Sequence, residues 1–148
     1  MKALVMAGHL IRRLNQMSTH VFSTRIQEAG FDVTPVQFAA LDAILSYPGI
    51  DQAGVAAAIA YDRATIGGVI DRLEQKGYVS RQVSPRDRRA REVRATEAGR
   101  AAFEEILPIV TALQEELLAE LDAGEREAFL RLARKAIGPA MALPPQPD

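Results

Sequence analysis

The chain has 148 residues, 48% of them apolar, and its 18 basic and 19 acidic side chains leave a formal net charge of −1. This suits one globular domain with appended helices and argues against general disorder. The absence of cysteine excludes disulfides, thiolate nucleophiles and cysteine-ligated zinc, and the two histidines, His9 and His20, are too few for a His-rich metal site.

Residues 3–29 are predicted to form a long first helix, with Leu10, Leu14, Met17 and Val21 at helical spacing and Gly30 as its stop. Beside that apolar stripe, His9, Arg13, Gln16 and His20 recur at i, i+4, i+7 and i+11 as a polar stripe. Thr34-Pro35-Val36-Gln37 has the form of a capping box with proline at the first helical position. It opens a second helix that turns Phe38, Leu41, Ile44 and Leu45 inward and stops at Pro48-Gly49. Asp51 caps a short alanine-rich helix over 52–60. Asp62 caps the next, over 63–76, with Ile66, Val69, Ile70 and Leu73 as its buried set and Gly77 as terminator. Two helices joined by so short a turn have helix-turn-helix spacing.

Residues 78–83 and 92–95 are predicted as short strands around a polar loop, 84–91, which is too long for a tight hairpin and projects as a flap. Thr96 caps a helix reaching Leu121, with Phe103, Ile106, Val110, Leu113 and Leu117 near heptad spacing and Pro108 expected to interrupt and kink it. Asp122 and Glu125 form a second capping-box pattern for a last helix carrying Phe129, Leu132, Ala133 and Ile137. Gly138 ends it, and 139–148 is expected to be a flexible tail.

Charge is segregated along the chain. From Arg63 to Arg94 there are nine basic and four acidic residues, and from Glu97 onward ten acidic and five basic. Positive charge concentrated in one hairpin and one helix of a nearly neutral chain addresses a polyanion. With no tryptophan and eight other aromatics, a platform for stacking single-stranded bases is not expected. The chain also lacks a cysteine nucleophile, a glycine-rich phosphate loop, a paired-histidine metal motif and a serine elbow. The pairs Glu104-Glu105 and Glu115-Glu116 read as a solvated helix face. Neither catalysis nor a cofactor is expected. No apolar run approaches the roughly 20 residues that span a bilayer, and arginines interrupt the N-terminal apolar patch too early for a secretory signal. A cytoplasmic location is therefore expected.

Three stretches carry a family resemblance: Thr34-Pro35-Val36-Gln37-Phe38, the line DRLEQKGYV at 71–79, and the line DRRAREVRATEAG at 87–99. In the last, Asp87 and Arg89 form an Asp-x-Arg, followed by the helix start Ala95-Thr96-Glu97-Ala98-Gly99. Over essentially its whole length the chain resembles the MarR family of winged helix-turn-helix transcriptional regulators. The resemblance implies a mainly α fold with a small β-hairpin wing. It divides the chain into a helical dimerisation region (1–30 and 97–138) and a winged helix-turn-helix DNA-binding domain (34–96). It also implies a homodimer on a pseudo-palindromic, double-stranded operator, usually as a repressor.

On that reading Arg63 and Thr65, at the start of the recognition helix, reach base edges or phosphates, and Arg72 clamps a phosphate. Gly67-Gly68 departs from the family pattern. The pair either lets the backbone approach DNA closely or packs tightly on the alanine-rich helix. The resemblance has Asp87 pair with an arginine to shape the wing while Arg89 enters a minor groove, flanked by Arg86, Arg88 and Arg91. Family members respond to a small molecule, often a phenol or aromatic carboxylate, held between the dimerisation helices and the winged domain. His9, Arg13, Gln16 and His20 suit that chemistry, or else form a dimer-interface stripe or an exposed polar face. The lines TPVQFAAL and IAYDRATIGGVIDRLE resemble a subgroup repressing catabolism of aromatic acids, including nicotinate-type and hydroxycinnamate-type compounds. A winged-helix protein-interaction module and a metal-responsive regulator are the alternatives.

Overall fold

Local capping chemistry sets most element starts in the computed structural model, which describes residues 2–139. The tail expected to be flexible lies, from residue 140 on, outside the described residues. Thr34 Oγ1 accepts from Gln37 N–H and Gln37 Oε1 accepts from Thr34 N–H, completing the capping box of helix α2 (Pro35–Ser46). Asp51 Oδ1 accepts from Gly54 N–H at 2.7 Å and starts α3 (Gln52–Ala58). Asp122 and Glu125 close a second reciprocal box at the head of α6 (Ala123–Ile137).

Several boundaries differ from the sequence expectation. The first helix is split: a 3-10 turn at Ala3–Val5 precedes α1 (Ala7–Glu28), because Met6 is extended at ψ 147°. The recognition helix, α4 (Ile66–Gln75), begins three residues later than Arg63. Asp62 spends its carboxylate on Ala64 N–H, and its carbonyl accepts from Thr65 and Ile66, so 62–65 is a turn. The alanine-rich helix stops before Ala60, whose φ of +53° reverses the chain between α3 and α4. Helix α5 (Glu97–Leu117) runs unbroken through Pro108 and ends four residues short of Leu121. Its neighbours Ile106, Ile109 and Val110 pack on α1 residues, which holds that turn although proline contributes no N–H.

Between α4 and α5 the chain forms an antiparallel hairpin, β1 (Val79–Val83) and β2 (Arg91–Ala95), in register from Val79↔Ala95 to Val83↔Arg91. Ile50 C=O accepts from Val93 N–H, and an isolated bridge joins Asp51 to Glu92, so the hairpin is anchored to the loop before α3.

Two apolar clusters result. One, in the winged head, unites α2, α3, α4 and the hairpin around Leu41, Val55, Ile70, Leu73 and Val93. The other joins α1 to α5 through Phe22, Ile26, Ile106 and Leu113. Phe38 links them, stacked on Phe103 with ring centroids 5.1 Å apart, and Tyr78 packs against both. The junction is tight. Thr96 Oγ1 donates to Gly77 C=O and accepts from Gly99 N–H, and a Cβ on Gly99 would lie 2.0 Å from the Tyr78 oxygen.

Candidate nucleic-acid interface

The exposed side of the head is built from the turn before α4, the outer face of α4 and the wing. Arg63, Thr65, Gly68 and Arg72 are exposed, while Ile66, Val69, Ile70 and Leu73 are buried as expected. Thr65 donates its hydroxyl to Asp62 C=O at 3.1 Å. The two glycines separate. A Cβ on Gly67 would come within 3.3 Å of Gln52 Nε2, whereas one on Gly68 would meet nothing within 4 Å. Gly67 thus packs closely on α3, whereas Gly68 faces open space.

The wing tip is two nested turns. Ser84 Oγ accepts from Arg86 N–H at 3.2 Å, Ser84 N–H donates to Ala90 C=O, and Ala90 N–H donates to Asp87 C=O. Asp87 Oδ1 accepts from the main-chain N–H of Arg89 at 2.9 Å. The expected carboxylate–guanidinium pair is therefore replaced by a side-chain-to-backbone turn, the bond a short aspartate makes most cheaply with its own loop. No ion pair to Asp87 occurs among the described residues. The guanidiniums of Arg86, Arg88, Arg89 and Arg91 stand exposed around it.

A cleft of about 540 Å³ lies between the start of α4, the start of α3 and the wing. Arg63, Asp87, Arg89 and Arg91 all line it, together with Asp51 and Gln52, which sequence reasoning had assigned only to a helix start. Arg72, Arg86 and Arg88 lie outside this cleft.

Arg81, counted in sequence among the basic cluster, is engaged by the fold. It is 17% exposed, its guanidinium pairs with Asp71 and with Glu74 (3.1 Å), and it donates to Gln52 Oε1 at 3.4 Å. The hydrogen bond to Glu74, followed by that to Asp71, holds its pKa above the ordinary arginine value, against the opposing effect of burial. These partners lie 7–29 residues away in sequence, so no local pattern announces them.

The polar stripe on α1 is only partly assembled. A groove of about 510 Å³ is lined by Arg12, Asn15, Gln16, Thr19, His20 and Ser23. Gln16 and His20 belong to it, but Arg13 and His9 do not, and Arg12 takes the place expected for Arg13. Nearby, Arg25 binds both carboxylate oxygens of Glu116, at 2.8 and 2.6 Å, clamping α1 to α5. That bond holds the Glu116 carboxyl below its usual 4.5. Among the described residues no group of three His, Asp or Glu side chains is placed to hold a metal ion, and no helix is long and apolar enough to cross a membrane.

A MarR-family profile matches residues 31–90. The HTH-type transcriptional repressor NicR of Pseudomonas putida is 36% identical over 130 residues, covering 88% of this chain and 81% of that protein. The chain belongs to the MarR family. Its helices and hairpin superpose on Bordetella bronchiseptica BpsR, described as regulated in DNA binding by 6-hydroxynicotinic acid. The TM-score is 0.82 at 32% identity over 90% of this chain and 94% of that one. A mutant MarR from E. coli complexed with operator DNA gives a TM-score of 0.82 at 27% identity, over 92% and 96% of the two chains. The protein is thus a MarR-type transcriptional regulator with a winged helix-turn-helix, a non-enzymatic DNA-binding protein.

Proposed function

We propose that this MarR-type regulator is a homodimeric repressor that reads a pseudo-palindromic operator and is released by a small aromatic acid or phenol. The observation carrying the DNA contacts is the shared cleft in which Arg63, from the turn before α4, faces Arg89 and Arg91 of the wing. Arg63, Thr65 and the bare backbone at Gly67-Gly68 would meet the major groove, with Gly68 the open position of the pair. The Asp87 turn presents Arg89 to the adjoining minor groove, and Arg72, Arg86, Arg88 and Arg91 bind phosphates. The dimer is supported by apolar side chains that one chain leaves uncovered on both terminal arms. Leu10, Ile11, Leu14 and Met17 on α1 are 39–65% exposed, and Leu130, Leu132 and Ile137 on α6 are 44–54% exposed. Such a surface is costly in water and is covered by a like surface in a two-fold assembly.

The effector class is supported by the 6-hydroxynicotinic acid named for BpsR. It is also supported by the cation, amide and imidazole that Arg12, Gln16 and His20 bring to one groove. A carboxylate suits the guanidinium, and a ring hydroxyl or nitrogen suits the amide and imidazole.

The test is fluorescence polarisation on a labelled duplex recovered by the wild-type protein from a randomised pool. Arg63→Ala and Arg89→Ala together are expected to cost about 2–6 kcal/mol and to relax sequence preference at the positions they read. Hydroxylated aromatic carboxylates are expected to raise the apparent Kd, and an unchanged Kd across a panel of them discards the effector class.

A further inference from the structure

The recognition helix carries two acids, Asp71 and Glu74, on a surface that must approach a polyanion. Their side chains are 51% and 43% exposed, so burial does not hide their charge. Both are met by one guanidinium, that of Arg81 on β1, which is itself only 17% exposed. Glu74 is engaged twice, since the Arg81 main-chain N–H also donates to Glu74 Oε2 at 3.2 Å. The same guanidinium reaches Gln52 Oε1, and the amide nitrogen of Gln52 lies 3.3 Å from where a Cβ at position 67 would stand. Arg81 Nε is buried without a hydrogen-bond partner. The guanidinium therefore sits where pairing with the two acids is best, although one donor is left unused.

On the DNA-reading surface proposed above, we propose that Arg81 is an electrostatic shield. It lines the same cleft as Arg63 and Arg89, but its guanidinium is spent on Asp71, Glu74 and Gln52 and so makes no DNA contact of its own. It neutralises Asp71 and Glu74 so that α4 can enter the groove. A carboxylate within a Debye length of a phosphate repels it, and that repulsion is screened by salt.

Binding is measured on the same selected duplex for four proteins: wild type, Arg81→Met, Asp71→Asn/Glu74→Gln, and the triple variant. Arg81→Met is expected to lose at least tenfold in affinity at low salt, with the deficit narrowing as salt rises. The triple variant is expected to return to within about threefold of wild type, because the charges that required shielding are gone. The variant lacking both acids is expected to bind as tightly as wild type or more tightly. A purely structural role gives the opposite results, since removing the partners then cannot repair the loss. A triple variant that melts like wild type but binds as weakly as Arg81→Met overturns the shield. If Arg81→Met does not fold, weakened binding by Asp71→Asn/Glu74→Gln overturns it instead. Failure of the wild-type protein to bind any duplex in a salt-dependent manner would refute the DNA-reading surface itself, a result distinct from failed rescue.

Discussion

In the winged head, Leu41, Val55, Ile70 and Leu73 have no exposed surface, whereas Leu10, Met17, Leu132 and Ile137 on the arms keep 49–54% of theirs. Both regions are helical and both follow a regular apolar period, yet only the head completes its core within one chain. The difference lies in connectivity. Short links between α2, α3, α4 and the hairpin fold the apolar faces onto one another. Among the described residues, the first half of α1 and the outer face of α6, with Leu130, Leu132 and Ile137, extend past the α1–α5 cluster and stay exposed. A periodic stripe states that a face is apolar and leaves open which molecule buries it.

The sharpest way to break this contrast is at the seam between the two regions. Gly99→Ala drives a methyl into the Tyr78 carbonyl, 2.0 Å from the ideal Cβ. It is expected to cost at least about 3 kcal/mol in thermal or urea unfolding. A variant that melts like wild type would show that head and arms are not locked there.

Next in size is the arm surface. Leu10→Asp with Leu14→Asp alters only exposed positions in one chain. It is expected to weaken self-association by about 2–3 kcal/mol, seen by sedimentation, while the far-ultraviolet spectrum of the folded chain persists. A dimer of unchanged strength would remove α1 from the interface.

Within the head, Gly68→Ala adds a side chain in open space on the recognition helix. It is expected to raise stability by about 1 kcal/mol and to weaken duplex binding roughly tenfold, about 1.4 kcal/mol. Unchanged DNA affinity would mean that Gly68 does not face the groove.

The smallest effect concerns the arms at acid pH. Arg25 holds the Glu116 carboxyl below 4.5, so the pair contributes stability above that value and loses it as pH falls through the folded-state value. The difference in melting temperature between wild type and Glu116→Gln is expected to be small at neutral pH, and to vanish once Glu116 is protonated.

What could be read from the residues alone follows the range of each interaction. The caps at Thr34, Asp51, Thr96 and Asp122 were legible because each bond spans three residues. The start of α4 was misplaced because Asp62 offers a good cap and uses it on a turn instead. The wing arginines were legible as a cluster, but the engagement of Arg81 by Asp71, Glu74 and Gln52 depends on tertiary approach. The same holds for Arg12 replacing Arg13 at the groove, since neighbouring residues of a helix point about 100° apart and only packing selects between them.

Thr96 carries a mechanical consequence. Its hydroxyl joins Gly77, just past the end of the recognition helix, to the first turn of α5, so the two helices are fastened like a crank to its shaft. The 21 residues of α5 span roughly 32 Å at 1.5 Å each. A tilt of about 10° at its far end would then swing the reading helix by roughly 5 Å, more than the spacing of one base pair. In the dimer proposed above, a wedge among the arms that tilts α5 by this amount would move one reading helix against the other by more than a base-pair step.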